Sequence, residues 1–264
     1  MSNGYFSFKQ FTIRQERCAM KVGTDGTLLG AWARVPAADP SSGVHATRVL
    51  DIGTGTGLIA IMMAQRFPHA LITGIDTDAD AVVQARENAG ASPFAPRIRI
   101  VHRALQDMPC GCPPADGGPH PESYCDTSVC GGFRAIVCNP PFFTGSLECP
   151  DEKRTMARHA SSLSYEELMS VSFRLLDVGG ELSVVIPYDS LGRMDSAAAI
   201  AGFCTRRVCT VRTTARKAPK RVLLAYGRER GGDVETSEMV IGSDEYNGMM
   251  SDFYLKTPVC HPQK

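Results

Sequence analysis

The stretch Arg48-Val49-Leu50-Asp51-Ile52-Gly53-Thr54-Gly55-Thr56-Gly57 decides how the rest of the chain is read. Arg48 to Ile52 is a short apolar strand that stops at a glycine turn, and Leu58 to Arg66 continues as an apolar helix. Strand, glycine turn and helix together open a doubly wound α/β fold, because glycine permits the tight turn and lets a ligand approach the backbone. The spacing is G-x-G-x-G, not the G-x-G-x-x-G of dinucleotide binders, and an aspartate ends the strand. A turn of this kind need not cradle a pyrophosphate. S-adenosylmethionine instead presents a carboxylate and a cationic amine. Free N–H groups of Gly53, Gly55 and Gly57 suit the carboxylate, and Asp51 suits the amine directly or through water.

Outward from this turn the strand and helix patterns alternate. Ala70 to Ile75 is a second strand closed by Asp76, which follows Asp51 by 25 positions and is placed to accept both ribose hydroxyls. Ala79 to Ala89 reads as a helix and Arg97 to Val101 as a third strand. After it, Leu105 can cover an adenine ring, and Gln106 or Asp107 can accept from its amine. Arg134 to Cys138 is a fourth strand, stopped by Asn139-Pro140-Pro141 because proline cannot continue a central strand. Tyr165 to Leu176 is an amphipathic helix with Gly179-Gly180 as its expected C-cap, and Glu181 to Ile186 is a fifth strand. Arg207 to Thr213 and Arg221 to Tyr226, separated by a loop holding Pro219, give a hairpin-like antiparallel end. The alternation predicts an α/β fold with a mostly parallel sheet and helices on both faces.

Residues 1–35 precede the first strand and read as an extension packing over the active site. Residues 36–264 read as a single domain with a loop insertion at 108–132, rich in Pro, Gly and Cys and expected to be disordered. Cys110, Cys112, Cys125 and Cys130 in that loop lack the paired C-x2-C spacing of a zinc site, so free thiols and no metal are expected. The 264 residues are 43% apolar and 21% charged, ordinary for a globular protein. The N-terminus carries no secretory pattern and no apolar run reaches the roughly 18–20 residues of a membrane span, so a cytoplasmic protein is expected. The net charge is zero, yet Arg206 to Arg228 carries eight basic residues and no acidic one. That run predicts a one-sided basic face, with Lys217, Lys220 and Arg221 as nucleic-acid contacts.

Asn139-Pro140-Pro141-Phe142 lies at the end of the fourth strand, beside the switch point where such folds bind ligands. An amine conjugated to an aromatic ring is a poor nucleophile. The Asn139 side-chain oxygen can accept one of its N–H groups and the Pro140 carbonyl the other, which aims the lone pair at a methyl donor. No strong base is needed, since the nitrogen becomes acidic once methylated. The prolines stiffen the turn, and Phe142 or Phe143 can stack on a base swung out of its strand. Arg158 can hold a phosphate flanking that base, while His159 reads as structural.

The chain resembles class I methyltransferases of the amino type, which carry D/N/S-P-P-F/Y/W. Within them it resembles the bacterial family that methylates N6 of an adenine in tRNA(Val), beside the anticodon. The resemblance is carried by Arg17-Cys18-Ala19-Met20-Lys21-Val22-Gly23-Thr24-Asp25-Gly26, Leu28-Leu29-Gly30-Ala31-Trp32, the Asp51 turn, Asn139 to Phe143, Ala157-Arg158-His159 and Arg221-Val222-Leu223-Leu224. It implies a Rossmann-like sheet of seven strands with an antiparallel last strand. It also implies S-adenosylmethionine as donor, tRNA as partner, and Lys21, Thr24 and Asp25 lying over the cofactor and target pocket. The family's acidic contact to the cofactor adenine is replaced near Ala104, and the Cys110–Cys130 loop is longer than the family's. Two other enzyme readings share the N-P-P logic: methylation of a glutamine amide in release factors, and of adenine in DNA. The basic run and the Lys21 segment favour RNA over the first, and the lack of a target-recognition domain speaks against the second. A non-catalytic RNA-binding protein would not need the intact glycine turn and N-P-P-F.

Overall fold

A computed structural model describes residues 4–18, 20–37, 47–109, 132–141 and 163–255. Its centre is an eight-stranded sheet. In chain order, a short antiparallel pair comes first, β1 (Tyr5–Ser7) and β2 (Thr12–Arg14), followed by α1 (Thr24–Trp32). Then come β3 (Thr47–Ile52), α2 (Leu58–Arg66), β4 (Ala70–Asp76), α3 (Ala79–Ala91), β5 (Ile98–His102) and β6 (Phe133–Cys138). The chain continues with α4 (Tyr165–Leu175), β7 (Leu176–Pro187), α5 (Leu191–Ala201), β8 (Cys204–Arg212), β9 (Arg221–Gly227), β10 (Glu235–Val240) and α6 (Asp244–Met250).

The strands lie in the order β10-β8-β9-β7-β6-β3-β4-β5. β5, β4, β3, β6 and β7 are mutually parallel, and β9 runs antiparallel to both β7 and β8. The expected seven strands with an antiparallel seventh are all present, and β10 adds an eighth, parallel to β8. Its sequence gave no strand signal because only Met239 among its six residues is buried.

Both faces of the sheet are covered, so each strand sends alternate residues into two separate cores. Val49, Ala135, Val137 and Val185 point to one core, with Leu28, Leu29, Met62 and Met63 from α1 and α2. Leu50, Ile52, Ile136 and Val184 point to the other, with Leu168, Met169 and Met194 from α4 and α5. This double burial is why the strands read as near-continuous apolar runs and not as alternating ones. α4 starts at a capping box, where Ser164 accepts from the Glu167 N–H and Glu167 accepts from the Ser164 N–H.

Gly179-Gly180 does not cap α4, contrary to the sequence expectation. The helix ends at Leu175, Leu176 is already extended, and both glycines lie inside β7. A Cβ on Gly180 would stand 3.0 Å from the Arg134 and Asp177 carbonyl oxygens, so the pair admits a close backbone approach at an irregularity in the β6–β7 pairing. No helix among the described residues is long and apolar enough to cross a membrane.

Candidate active site

The parallel strands end together at one edge, and the turn after β3 builds the first wall of a cavity there. Gly53, Gly55 and Gly57 all take positive φ, between 53° and 80°, a conformation that costs glycine nothing. The Asp51 side chain is fully buried beneath this turn. Its Oδ2 accepts from the Thr54 hydroxyl at 2.6 Å and from the Ala60 N–H at 3.1 Å, which ties the turn to the start of α2. Gly74 on β4 leaves room for that hydroxyl, since a Cβ there would stand 2.8 Å from Thr54 Oγ1. Asp51 Oδ1 has no partner among the described residues. Burial pushes the carboxyl up to about 7, opposed by the bonds from Thr54 and Ala60.

Asp76, at the tip of β4, is held with its carboxylate presented. Oδ2 accepts from the Gly55 N–H at 2.8 Å and Oδ1 from the Asp78 N–H at 3.0 Å. The Thr54 N–H bonds to Ile75 O and the Gly57 N–H to Thr54 O. Of the turn's N–H groups, those of Thr54, Gly55 and Gly57 are used within the turn and its neighbours.

The cavity above measures about 550 Å³, within the roughly 300–1,000 Å³ of clefts that enclose a small ligand. Gly53, Gly55, Asp76, Leu105, Gln106 and Asn139 all line it, as expected from the sequence. Lys21 and Asp25 line it as well, whereas Thr24, Gly57, Asp51 and Asp107 do not. Thr24 is the first residue of α1 and its carbonyl accepts from the Thr27 hydroxyl. Gly57 instead allows α3 to pack close, since a Cβ there would stand 3.3 Å from Ala85. Leu105 is buried, and the Gln106 amide donates to Glu167 at 3.4 Å.

At the end of β6, Asn139, Pro140 and Pro141 form the opposite wall. Asn139 Nδ2 donates to Met20 Sδ at 3.8 Å, and Oδ1 has no partner among the described residues. Phe142, Phe143, Arg158, His159 and the four clustered cysteines from Cys110 to Cys130 lie outside the described residues.

The run from Arg206 to Arg228 is not one face. Arg207 is buried, bonded to Glu181 at 2.6 Å and stacked 3.8 Å from the Trp32 ring centroid. Arg228 lies over Phe173 and donates to Leu176 O. Arg228 sits at the end of the sheet away from the cavity, because β9 finishes there, and Arg207 lies within β8, in register with Ala225 of β9. The other end of that hairpin, residues 213–220, stands at the cavity edge, where Arg221 pairs in register with Pro187 at the tip of β7. Arg216, Lys217 and Lys220 are exposed on it. Arg221, expected to contact nucleic acid, bonds to Asp25 at 2.9 Å.

Several cavity residues escaped the sequence reading: Cys18, Met20, Arg103 and Cys138. Burial raises the Cys18 thiol to about 11, and burial with Asp51 and Asp76 nearby raises Cys138 well above the usual thiol range, so neither is a ready nucleophile.

A chain from Phocaeicola vulgatus, named tRNA1(Val) (adenine(37)-N6)-methyltransferase, is 43% identical over 261 residues, covering 97% of this chain and 99% of that one. The chain belongs to that methyltransferase family. Members with the same name from Parabacteroides distasonis and Histophilus somni are 38% and 35% identical, over 97% and 95% of this chain and 100% and 97% of theirs. A family model described as a methyltransferase domain matches residues 49–117, which include the glycine turn and Asp76. A solved structure described as a predicted O-methyltransferase from Agrobacterium tumefaciens superposes with a TM-score of 0.57 at 16% identity, covering 87% of this chain and 96% of that one. That likeness concerns the fold, which is the class I methyltransferase fold.

Proposed function

We propose that this methyltransferase transfers a methyl group from S-adenosylmethionine to N6 of an adenine in tRNA, and that the adenine is the one named for its relatives, position 37 of tRNA1(Val). One observation carries the reading. Asn139, whose buried Oδ1 has no hydrogen-bond partner among the described residues, lines the same cavity as the glycine turn and Asp76.

The residues present fit the donor. Asp76 accepts from the ribose hydroxyls, Leu105 covers the adenine ring, and Lys21 supplies positive charge for the methionine carboxylate. Asp51 acts from below the cavity floor. A cation resting on the turn lowers the raised pKa of its carboxyl, so binding an amine and ionising Asp51 support one another. When bound, the donor supplies an electrophilic methyl on a sulfonium. The chain's own part is orientation: Asn139 Oδ1 and the Pro140 carbonyl each accept one N–H of the target amine, and this fixes the nitrogen and favours its pyramidal form. Released to solvent, the proton of the methylated nitrogen needs no residue to take it. We expect Phe142 or Phe143 to stack on the extruded base and Arg158 to hold a flanking phosphate.

RNA is favoured over a release factor because exposed Arg216, Lys217 and Lys220 stand on the cavity edge, two to three strands from Asn139, or about 10–15 Å at ~4.8 Å per strand. The reading places the protein in the cytoplasm with tRNA as its partner and no metal. Purified protein, labelled donor and tRNA from cells lacking the gene should yield labelled N6-methyladenosine on nucleoside mass spectrometry. Label appearing only in release factor or only in DNA would replace this reading.

A further inference from the structure

A carboxamide has two ends of nearly equal shape and opposite chemistry. If Asn139 is to accept an N–H from the target, its oxygen must be the end left open. Reversed, its NH2 would meet the target's NH2, donor against donor. Some neighbour must therefore tell the ends apart. Met20 is the neighbour in place: its sulfur lies 3.8 Å from Nδ2. A thioether accepts weakly and cannot donate, so it pairs with the nitrogen end alone.

Met20 is no core residue. It is half exposed and lines the cavity. It is carried there by a strap, described over residues 14–18 and 20–22, and held by three buried amides. Asn88 accepts from the Arg14 N–H at 2.9 Å and donates at 2.8 Å to both the Arg14 and Thr56 carbonyls. Gln84 accepts from the Arg17 N–H, and Gln15 from the Val22 N–H at 2.8 Å. The strap is thus bolted to α3, whose Asn88 also holds the glycine turn, and through Met20 it reaches the β6 wall.

We infer that Met20 is a positioning residue for the methyl transfer: its sulfur holds the Asn139 NH2 and so leaves Oδ1 as the acceptor for the target amine. The assignment rests on the function proposed above, and its test separates the two. Methyl transfer to tRNA is measured for the full-length wild type, Met20→Leu and Met20→Gln. Leucine keeps the bulk without the acceptor. Glutamine keeps the length and restores an acceptor oxygen. Loss of one weak hydrogen bond should lower kcat about three- to tenfold in Met20→Leu, with donor Kd and tRNA KM within about twofold of wild type, and Met20→Gln should recover most of that loss.

A second readout needs no turnover. The Asn139 side-chain NH2 resonances, identified by their loss in Asn139→Asp, should shift in Met20→Leu while the unfolding midpoint stays put. Wild-type kcat in Met20→Leu, unshifted resonances, or a glutamine variant no better than leucine would each overturn the inference. A wild type that transfers no methyl to tRNA would overturn the function instead, and the resonance comparison would still decide the role of Met20.

Discussion

The two walls of the cavity are built differently. In the β3–β4 wall the polar groups are largely engaged with one another: Asp51 holds Thr54 and Ala60, Asp76 holds Gly55 and Asp78, and Gly57 bonds back to Thr54. In the β6 wall Asn139 keeps an acceptor with no partner among the described residues, and its NH2 donates to the half-exposed Met20. The first wall is rigid before any ligand arrives, as suits a donor that must be held in a single pose. The second keeps unpartnered the acceptor that the target amine needs. Damage to the first should therefore be felt as affinity and stability, and damage to the second as turnover.

The largest effect should come from Asn139→Ala, which removes an acceptor that works mainly in the transition state. We expect kcat to fall by about 10²–10³ with donor affinity little changed, checked by steady-state kinetics beside calorimetry. Equal losses in kcat and donor affinity would break the division between the walls. Asp51→Asn should show as stability. In the folded protein Asp51 keeps its proton up to about pH 7, whereas unfolded it loses it near the ordinary 3.8. The folded state then binds the extra proton, so stability falls as pH rises through that window, by about 1.4 kcal/mol per pH unit at most. The asparagine variant should lack this part of the slope in urea titrations of cofactor-free protein across the window.

A smaller change is expected for Asp76→Ala, where two ribose hydroxyls lose a charged acceptor. Donor Kd should rise about 10- to 100-fold, and kcat at saturating donor should hold. Smallest is the Lys217→Ala, Lys220→Ala pair. It should raise tRNA KM and reduce the slope of log affinity against log salt by about two, leaving stability and donor Kd alone. An unchanged salt slope would move the RNA away from this edge.

Where structure follows from neighbours in sequence, the chain was readable. α2 lies at its expected residues 58–66, and Asp76 does end its strand, because apolar periodicity and a glycine turn are local signals. β1, β2 and β10 were not readable, since the first two are only three residues long, β10 is largely exposed, and all gain order from the partners they pair with. The basic run misled for a related reason. Composition cannot show that a nine-residue strand turns Arg207 inward and into contact with buried Glu181. The candidate site was legible where glycine, aspartate and asparagine stand at strand ends. Met20, Gln84 and Asn88 were invisible because each acts on a residue tens or more positions away.

The bolting of the strap by Asn88 has a consequence for synthesis. Arg14 leaves the ribosome 74 residues before the side chain that fixes it. The earliest part of the site to be made must wait until α3 has emerged and docked, and the β6 wall with Asn139 is made later still. A nascent chain in which β3, the glycine turn and β4 have already formed can shape a ligand cradle while the wall over it still hangs loose.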